Sequence, residues 1–387
     1  MNIFEKIQTS PALPEHELAV IESVAAFARS ELAPRAAEVD RSGKFPWDNV
    51  AGINALGLNT MFVPEAYGGT ALSYRCYLAC VREISAACAS TGIIWATNFH
   101  AMKPVVDYGT QEQKARFLPR LAAGALAALV ITEPSAGSDA TAMKTNFREQ
   151  GDKIVVTGSK CFITNGDVAD FYLVFGKWDG EADPRKAISC LLVEKSEAGP
   201  HVIRLEEKMG HRGSSTAQLS FDGVPVPRSS LLAGPGEGLR MLLASLNKSR
   251  PSIAAHALGI AHAAFEDAVA YINERRQSGK RIIEFQGIQF LLADLAAELA
   301  LCDNWLNYVA AGIEAGIDMA MEASILKMRA SDLAMRVSTE AVQLLGGYGY
   351  CADYRVERLM RDAKITQIWE GTNQVHRQLI GRRFIQG

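Results

Sequence analysis

The amino-acid sequence predicts an α+β fold with an N-terminal helical domain, a central antiparallel β domain and a C-terminal helical bundle. Three observations support this prediction. Apolar residues recur at helical spacing in the first part of the chain, short β-rich runs follow, and helical spacing then returns. A chain of 387 residues also exceeds the size at which one hydrophobic core stops growing, so several packed units are expected.

The first predicted domain comprises residues 1–125. Its opening helix has one apolar stripe, because steps of three and four alternate between the stripe residues Leu18, Ile21, Ala25, Ala28 and Leu32. Glycines and prolines near positions 43, 64 and 104 separate this helix from later ones.

The second predicted domain comprises residues 126–233. Short runs suited to strands occur at residues 153–156, 171–175, 188–193, 202–205 and 217–221. No helical pattern of 10–15 residues lies between them. The sequence therefore argues against a βαβ dinucleotide-binding fold.

The third predicted domain comprises residues 234–387. A strict helical rhythm is kept by Ile288, Leu292, Leu295, Leu299, Cys302, Leu306 and Val309. The polar faces of these helices contain few charges. We therefore expect one face to pack on another subunit.

Composition excludes several classes of function. A net charge of -3 gives no broad field for nucleic acid or anionic lipid. The apolar stretch at residues 121–131 is about half of what spans a bilayer, so no membrane insertion is expected. The seven cysteines are scattered and predict neither a disulfide framework nor a zinc site. Residues 1–10 lack a secretory signal pattern, which favours a cytoplasmic location.

Two segments in the middle of the chain could contact a ligand. Residues 131–139 (ITEPSAGSD) are small and hydroxyl-rich, so their backbone amides could approach a ligand closely. Residues 158–166 (GSKCFITNG) place an aromatic, an apolar and a hydroxyl residue beside an Asn-Gly turn. Alone, the first is equally well a capping turn and the second a plain β-hairpin.

Two further segments lie near the C-terminus. Residues 343–350 (QLLGGYGY) end a helix in glycines that could expose N–H groups to a pyrophosphate, although a glycine C-cap has the same pattern. In residues 361–374, Glu370 stands between Trp369 and Gly371. A lone glutamate is normally a solvated surface residue. A bulky apolar neighbour favours desolvation, which strengthens a carboxylate as a general base.

In this order, the four segments resemble the acyl-CoA dehydrogenase family, and the resemblance extends from about Leu18 to Ile385. It implies an FAD enzyme that acts on an acyl-CoA or acyl-carrier-protein thioester and passes electrons to an electron-transfer flavoprotein. It also implies a homotetramer built as a dimer of dimers, with FAD at the dimer interface. Glu370 would take the α-proton of the thioester, and the flavin would take the β-hydride.

The resemblance also implies a set of cofactor-binding residues. Those expected to face the flavin ring and ribityl chain are Leu129, Ile131, Thr132, Ser138, Phe162, Ile163, Thr164, Thr372 and Gln374. Those expected to reach the phosphates and adenosine across the dimer interface are Arg275, Gln286, Gln343, Gly346 and Gly347.

Substrate-binding residues follow from the same resemblance. Ser138, Asn247, Arg250 and Gly371 would contact the thioester and its coenzyme A or pantetheine portion, while Trp95, Phe99 and His100 would line the acyl pocket. One branch of the family has its base at the position of Ser249, and serine cannot serve as that base. Bulky or polar pocket residues suggest a short, branched or functionalised acyl group, whose identity stays open.

The sequence leaves two rival functions. A flavin-dependent monooxygenase can share this fold, but such relatives generally lack the glutamate of the Glu-Gly-Thr motif, so Glu370 favours the dehydrogenase. A non-catalytic helical scaffold would not need the four cofactor-like segments.

Overall fold

A computed structural model describes residues 13–196 and 198–385. Residues 1–10, on which the expectation about a secretory signal rests, lie outside the described part. Within the described part, no helix combines the length and apolar character needed to cross a membrane. A cytoplasmic location stays a prediction from the sequence.

The N-terminal region is helical. Its helices are α1 (Glu15–Phe27), α2 (Ala33–Ser42), α3 (Trp47–Ala55), α4 (Tyr74–Ala87), α5 (Ala89–Tyr108) and α6 (Gln111–Ala122), with a π-helical turn (Ala28–Leu32) joining α1 to α2. The buried face of α1 differs from the predicted stripe, because Leu18 is 41% exposed while Glu17 is buried. The Glu17 carboxylate accepts hydrogen bonds from the backbone N–H and the hydroxyl of Ser73. With this contact, Glu17 and not Leu18 occupies the buried face of α1.

The middle region contains a seven-stranded sheet. Its strands are β1 (Ala127–Val130), β2 (Asn146–Gln150), β3 (Lys153–Thr164), β4 (Phe171–Trp178), β5 (Ile188–Glu194), β6 (His201–Leu205) and β7 (Thr216–Pro227). The strand order is β1-β4-β2-β3-β7-β6, with β5 paired to β4. Most pairs are antiparallel as predicted, but β4 pairs in parallel with both β1 and β2.

The Asn165-Gly166 turn does not close the β-hairpin that was one interpretation of this segment. Strands β3 and β4, on either side of the turn, are separated in the sheet by β2. The amide of Asn165 instead donates to the carbonyl oxygens of Ile94 and Ala127 at 3.2 and 3.3 Å. The turn therefore ties the β region to α5.

The C-terminal region is again helical. Its helices are α7 (Gly238–Glu274), α8 (Gln286–Glu314), α9 (Ala320–Leu345), α10 (Val356–Thr366) and α11 (Asn373–Arg382), and a small hairpin of β8 (Arg276–Gln277) and β9 (Lys280–Arg281) joins α7 to α8. The middle of α7 is fully buried against α4 and α9. Large apolar side chains are exposed along α8, namely Phe290, Leu301, Trp305 and Tyr308.

The changes of secondary structure fall near the predicted boundaries. Helix α6 ends at Ala122 and β1 begins at Ala127, while β7 ends at Pro227 and α7 begins at Gly238. Helices from both ends of the chain share one hydrophobic core. A division into three domains at 125/126 and 233/234 stays a prediction.

Candidate active site

Glu370 lies in a tight turn between α10 and α11. The backbone N–H of Asn373 donates to the carbonyl of Gln367 at 3.0 Å and closes the turn. Glu370 has a φ of 53° and Gly371 a φ of 94°. A positive φ is uncommon for a glutamate and is kept only where the surroundings enforce it. The turn therefore presents the Glu370 carboxylate in an imposed orientation.

Ser249 contacts the carboxylate directly. Its hydroxyl lies on α7 and donates to Glu370 Oε2 at 2.6 Å, while the Leu246 carbonyl offers an alternative acceptor at 3.3 Å. Ser249 is buried. The two positions that the resemblance implies for the family's base are thus adjacent in this chain.

Lys327 holds the Glu370 turn through hydrogen bonds. This fully buried lysine donates to the Gly371 carbonyl at 2.7 Å and to Asn373 Oδ1 at 3.1 Å. Burial lowers the pKa of Lys327 to about 7, although the negative charge of Glu370 opposes that shift. Two hydrogen bonds to the turn make Lys327 a fixed part of the site.

Arg250 is a second buried cation near Glu370. Its Nη1 donates to Asn247 Oδ1 at 3.1 Å and to Ser324 Oγ at 3.2 Å, and its Nε has no partner among the described residues. Burial lowers the pKa of Arg250, and Glu370 raises it. A buried N–H without an acceptor carries a desolvation penalty, which an oxygen of a bound ligand can relieve.

The predicted acyl-pocket residues lie together on α5. Trp95, Phe99 and His100 are buried, and the ring of Phe99 lies 4.3 Å from that of Tyr77 between centroids. Burial lowers the pKa of His100, whereas the charge of Glu370 raises it, so His100 is within electrostatic reach of the Glu370 carboxylate. His100 Nε2 and Trp95 Nε1 are buried polar atoms without a hydrogen-bond partner in the described part.

Residues 131–139 form a loop that is fixed by a buried ion pair. Lys160 donates to the Ile131 carbonyl at 2.8 Å and to Glu133 Oε1 at 3.0 Å, and the Cys161 N–H donates to the Thr132 carbonyl at 2.9 Å. Ile131 and Thr132 are partly exposed, and Ser138 is exposed. The loop is rigidly attached to β3 while its outer residues stay accessible.

Phe162 is the most unusual residue of the predicted flavin-facing set. It has a φ of 57°, is 64% exposed, and lies where the register of β3 against β7 is irregular. An exposed aromatic ring held in a strained conformation is a feature of ligand sites. Leu129 and Thr164 nearby are partly exposed, but Ile163 is buried in the core of the sheet, so only its backbone is available.

The remaining members of that set lie after Glu370. Thr372 is the N-cap of α11, where its hydroxyl accepts from the Val375 N–H at 3.3 Å, and Gln374 is exposed.

The residues expected to reach phosphates and adenosine form a separate, exposed group. Arg275, Gln286, Gln343, Gly346 and Gly347 are all exposed, and the Arg275 guanidinium lies 5.7 Å from the centroid of the Tyr348 ring. Gly346 needs its φ of 61° to end α9. A Cβ on Gly347 would meet no atom within 4 Å, so packing inside the chain does not require glycine there.

Sequence reasoning missed several polar residues beside the Glu370 turn. The sequence does indicate that Lys327 is buried, because its spacing places it on the same helical face as the buried Ala323, Ala330 and Ala334. His376 is fully buried behind Gly371, and burial lowers its pKa to about 3, although contacts with the backbone of Glu370 and Gly371 oppose that shift. No spacing in the sequence indicates that Lys327 and His376 both lie against the Glu370 turn.

Comparisons with known proteins identify the family. Models of the N-terminal, middle and C-terminal domains of acyl-CoA dehydrogenases match residues 14–125, 128–224 and 236–385. The chain belongs to the acyl-CoA dehydrogenase family. An acyl-CoA dehydrogenase of Bacillus subtilis is 40% identical over 363 residues, which cover 93% of this chain and 96% of the relative. The resemblance found in the sequence is therefore confirmed.

Solved structures confirm the fold class. Butyryl-CoA dehydrogenase from Megasphaera elsdenii superposes with a TM-score of 0.94 at 36% identity, covering 97% of this chain and 99% of the other. A chain from the structure of the electron transferring flavoprotein of Acidaminococcus fermentans gives a TM-score of 0.94 at 39% identity, covering 98% and 100%. Members of the acyl-CoA dehydrogenase family are flavoproteins, and this member is an oxidoreductase that acts on a CH–CH bond of an acyl-CoA.

Proposed function

We propose that this chain binds FAD and dehydrogenates a short acyl-CoA to the trans-2-enoyl-CoA, with Glu370 as the base that removes the α-proton. The observation that carries the proposal is the Glu370 turn itself. Its carboxylate has an imposed orientation and accepts a hydrogen bond from Ser249. The Lys327 ammonium donates to the adjoining Gly371 carbonyl.

The residues of the β region fit a flavin. Phe162 offers an exposed ring in a strained backbone, and the loop at residues 131–139 is held rigidly next to it by Lys160 and Glu133. The exposed Arg275 supplies a permanent positive charge, and the absence of a side chain at Gly347 leaves open space for a phosphate. When bound, FAD supplies the acceptor for the β-hydride.

The chain's own residues account for removal of the α-proton. This proton is weakly acidic, so its removal requires stabilisation of the negative charge that develops on the thioester oxygen. The backbone N–H of Glu370 has no backbone acceptor among the described residues, so it would serve to bind that oxygen. The carboxylate that takes the proton and the N–H that binds the oxygen thus belong to one residue of one fixed turn.

The acyl pocket favours a short chain. The ring of Phe99 is surrounded by those of Phe62, Tyr74 and Tyr77 at 4.3–5.8 Å between centroids, which leaves little room for a long alkyl tail. The structural relative from Megasphaera elsdenii is a butyryl-CoA dehydrogenase, which supports the same size class. Arg250, with its unpaired Nε, would bind the coenzyme A or pantetheine portion, as expected from the sequence.

We also propose an electron-transfer flavoprotein as the acceptor and a homotetramer as the assembly. The similarity to a chain in an electron transferring flavoprotein structure supports the acceptor. The exposed apolar residues of α8 support a subunit contact, because a monomer seldom exposes such a row.

Anaerobic titration of the purified protein with butyryl-CoA tests the proposal. Oxidised flavin absorbance should bleach with one equivalent of thioester per flavin. Butyryl-carrier protein and longer acyl-CoA substrates, run in parallel, identify the thioester class. Three results contradict the proposal: no bleaching with any thioester, rapid oxygen use driven by NADH, which identifies a monooxygenase, or a protein that neither contains nor binds flavin.

A further inference from the structure

Two histidines from different parts of the chain meet behind the Glu370 turn. His211 lies in the loop between β6 and β7, and His256 lies on α7. Their Nε2 atoms are 2.7 Å apart, and both residues are buried. Burial lowers the pKa of both, that of His256 to about 3, so both rings are neutral. One Nε2 therefore carries the proton of this hydrogen bond and the other accepts it.

The pair is extended by a polar group at each end. His256 Nδ1 lies 2.7 Å from the Ser85 hydroxyl on α4. The backbone N–H of His211 donates to the Asp362 carboxyl on α10, and His211 Nδ1 lies 3.6 Å from the same oxygen. The chain Ser85–His256–His211–Asp362 thus joins three helices to the β region.

Trp369 connects this chain to the base. Its ring packs edge-on against His211 at 5.0 Å and against His256 at 5.7 Å between centroids. Trp369 directly precedes Glu370, so a displacement of the indole is transmitted to the strained turn.

The loop that carries His211 also determines where the predicted flavin-facing strand lies. A Cβ on Gly210 would come within 2.5 Å of the Arg361 backbone, so this loop packs directly on α10. His211 itself has a φ of 49°. Five residues later β7 begins at Thr216, which pairs with Thr164, two residues from Phe162.

We propose that the His211–His256 pair is a positioning device, which through Trp369 fixes the Glu370 carboxylate relative to the Phe162 strand. Both histidines would act through Trp369, against which their rings pack, so both are positioning residues. The inference rests on the proposed function, in which proton and hydride must leave adjacent carbons. Misplacement of one partner by about 1 Å can reduce a rate by roughly 100-fold.

The test is single-turnover flavin reduction by butyryl-CoA in anaerobic holoenzyme, at several thioester concentrations. His256→Leu removes both hydrogen bonds of the ring and should lower the limiting rate by roughly 10- to 100-fold with little change in thioester Kd. His256→Gln can still bond His211 and Ser85 and should stay near the wild-type rate. His256→Asn, one methylene shorter, should fall between them and serves if the leucine variant does not fold.

His262→Leu is the matched control. It removes another buried histidine of α7, whose Nε2 lies 2.8 Å from Asp303, away from the turn. It should lower Tm without changing the limiting rate. The inference is overturned if His256→Leu, or His256→Asn in its place, reduces flavin at the wild-type rate or loses no more rate than His262→Leu. A wild-type flavin that no thioester bleaches instead overturns the proposed function.

Discussion

The hydroxyl of Ser249 donates a hydrogen bond of 2.6 Å to Oε2 of Glu370, so these two side chains from α7 and the α10–α11 turn meet at one point. A carboxylate placed at position 249 could therefore reach the substrate region that Glu370 serves. We predict that Ser249→Glu in a Glu370→Gln background restores part of the flavin reduction rate, measured by stopped-flow absorbance.

Ser245→Glu in the same Glu370→Gln background is the control, because Ser245 is also buried on α7 but lies one turn away. It should restore nothing. Equal recovery in the two double mutants, or none in either, would argue against a shared position for the two carboxylates.

Acyl-chain preference should depend on Phe99. The wild type should prefer straight acyl chains of about four to six carbons or branched ones if, as proposed, the rings packed around Phe99 shorten the acyl pocket. Phe99→Ala should shift kcat/KM toward chains of about eight to twelve carbons. Phe117→Ala, which removes a buried ring on α6, should lower Tm without that shift. Highest wild-type activity on a sixteen-carbon chain would refute the pocket assignment.

Arg275 should matter for the cofactor rather than for the acyl group. Its guanidinium is exposed beside Tyr348 in the segment expected to bind FAD phosphates, so Arg275→Ala should weaken FAD binding and lower Tm. Because ligand binding stabilises the folded state by mass action, added FAD should restore that Tm. Arg41→Ala, at an exposed ion pair with Glu38, should change neither. Unchanged FAD content and Tm in Arg275→Ala would remove Arg275 from the proposed site.

Stability should depend on pH through Asp362. Burial raises the pKa of this carboxyl to about 7, with a smaller contribution from Asp40, while the His211 N–H and Arg358 and Arg361 oppose the shift. As the pH rises from about 4 to about 7, the unfolded carboxyl ionises before the folded one, so stability falls and then levels off. Three pKa units correspond to at most roughly 4 kcal/mol.

Asp362→Asn keeps an acceptor for the His211 N–H but does not titrate. The difference in Tm, variant minus wild type, should therefore be larger at pH 8 than at pH 5, because only the wild type loses this stability as the pH rises. An equal Tm difference at the two pH values would contradict the raised pKa.

Much of the fold was predictable from local pattern. The helical rhythm of α8 and the β-rich runs of the sheet are properties of neighbouring residues, and the fold class was confirmed. Strand β2 (Asn146–Gln150) was missed because its polar sequence carries no strand signal, and it is held by pairing with β3 and β4. Strand β1 was hidden because the end of α6 and the strand lie in one apolar stretch, residues 121–131.

The site was predictable only in part. Glu370 stands in a recognisable motif, and its hydrogen bond with Ser249 joins the two positions at which the resemblance implies a base, an assignment that stays a prediction. His211 and His256 have no such motif. They lie 45 residues apart, one in a loop of the β region and the other on α7, and only the tertiary fold brings their rings together. Buried polar partners of this kind follow from packing, which single-sequence patterns do not encode.

Glu370→Gln tests the central claim most directly, because it removes the proton acceptor while preserving side-chain size. The account predicts that butyryl-CoA still binds the variant, seen as a perturbation of the oxidised flavin spectrum, while the rate of anaerobic flavin reduction falls by roughly 10²- to 10⁴-fold or more. Flavin reduction at the full wild-type rate in Glu370→Gln would contradict it.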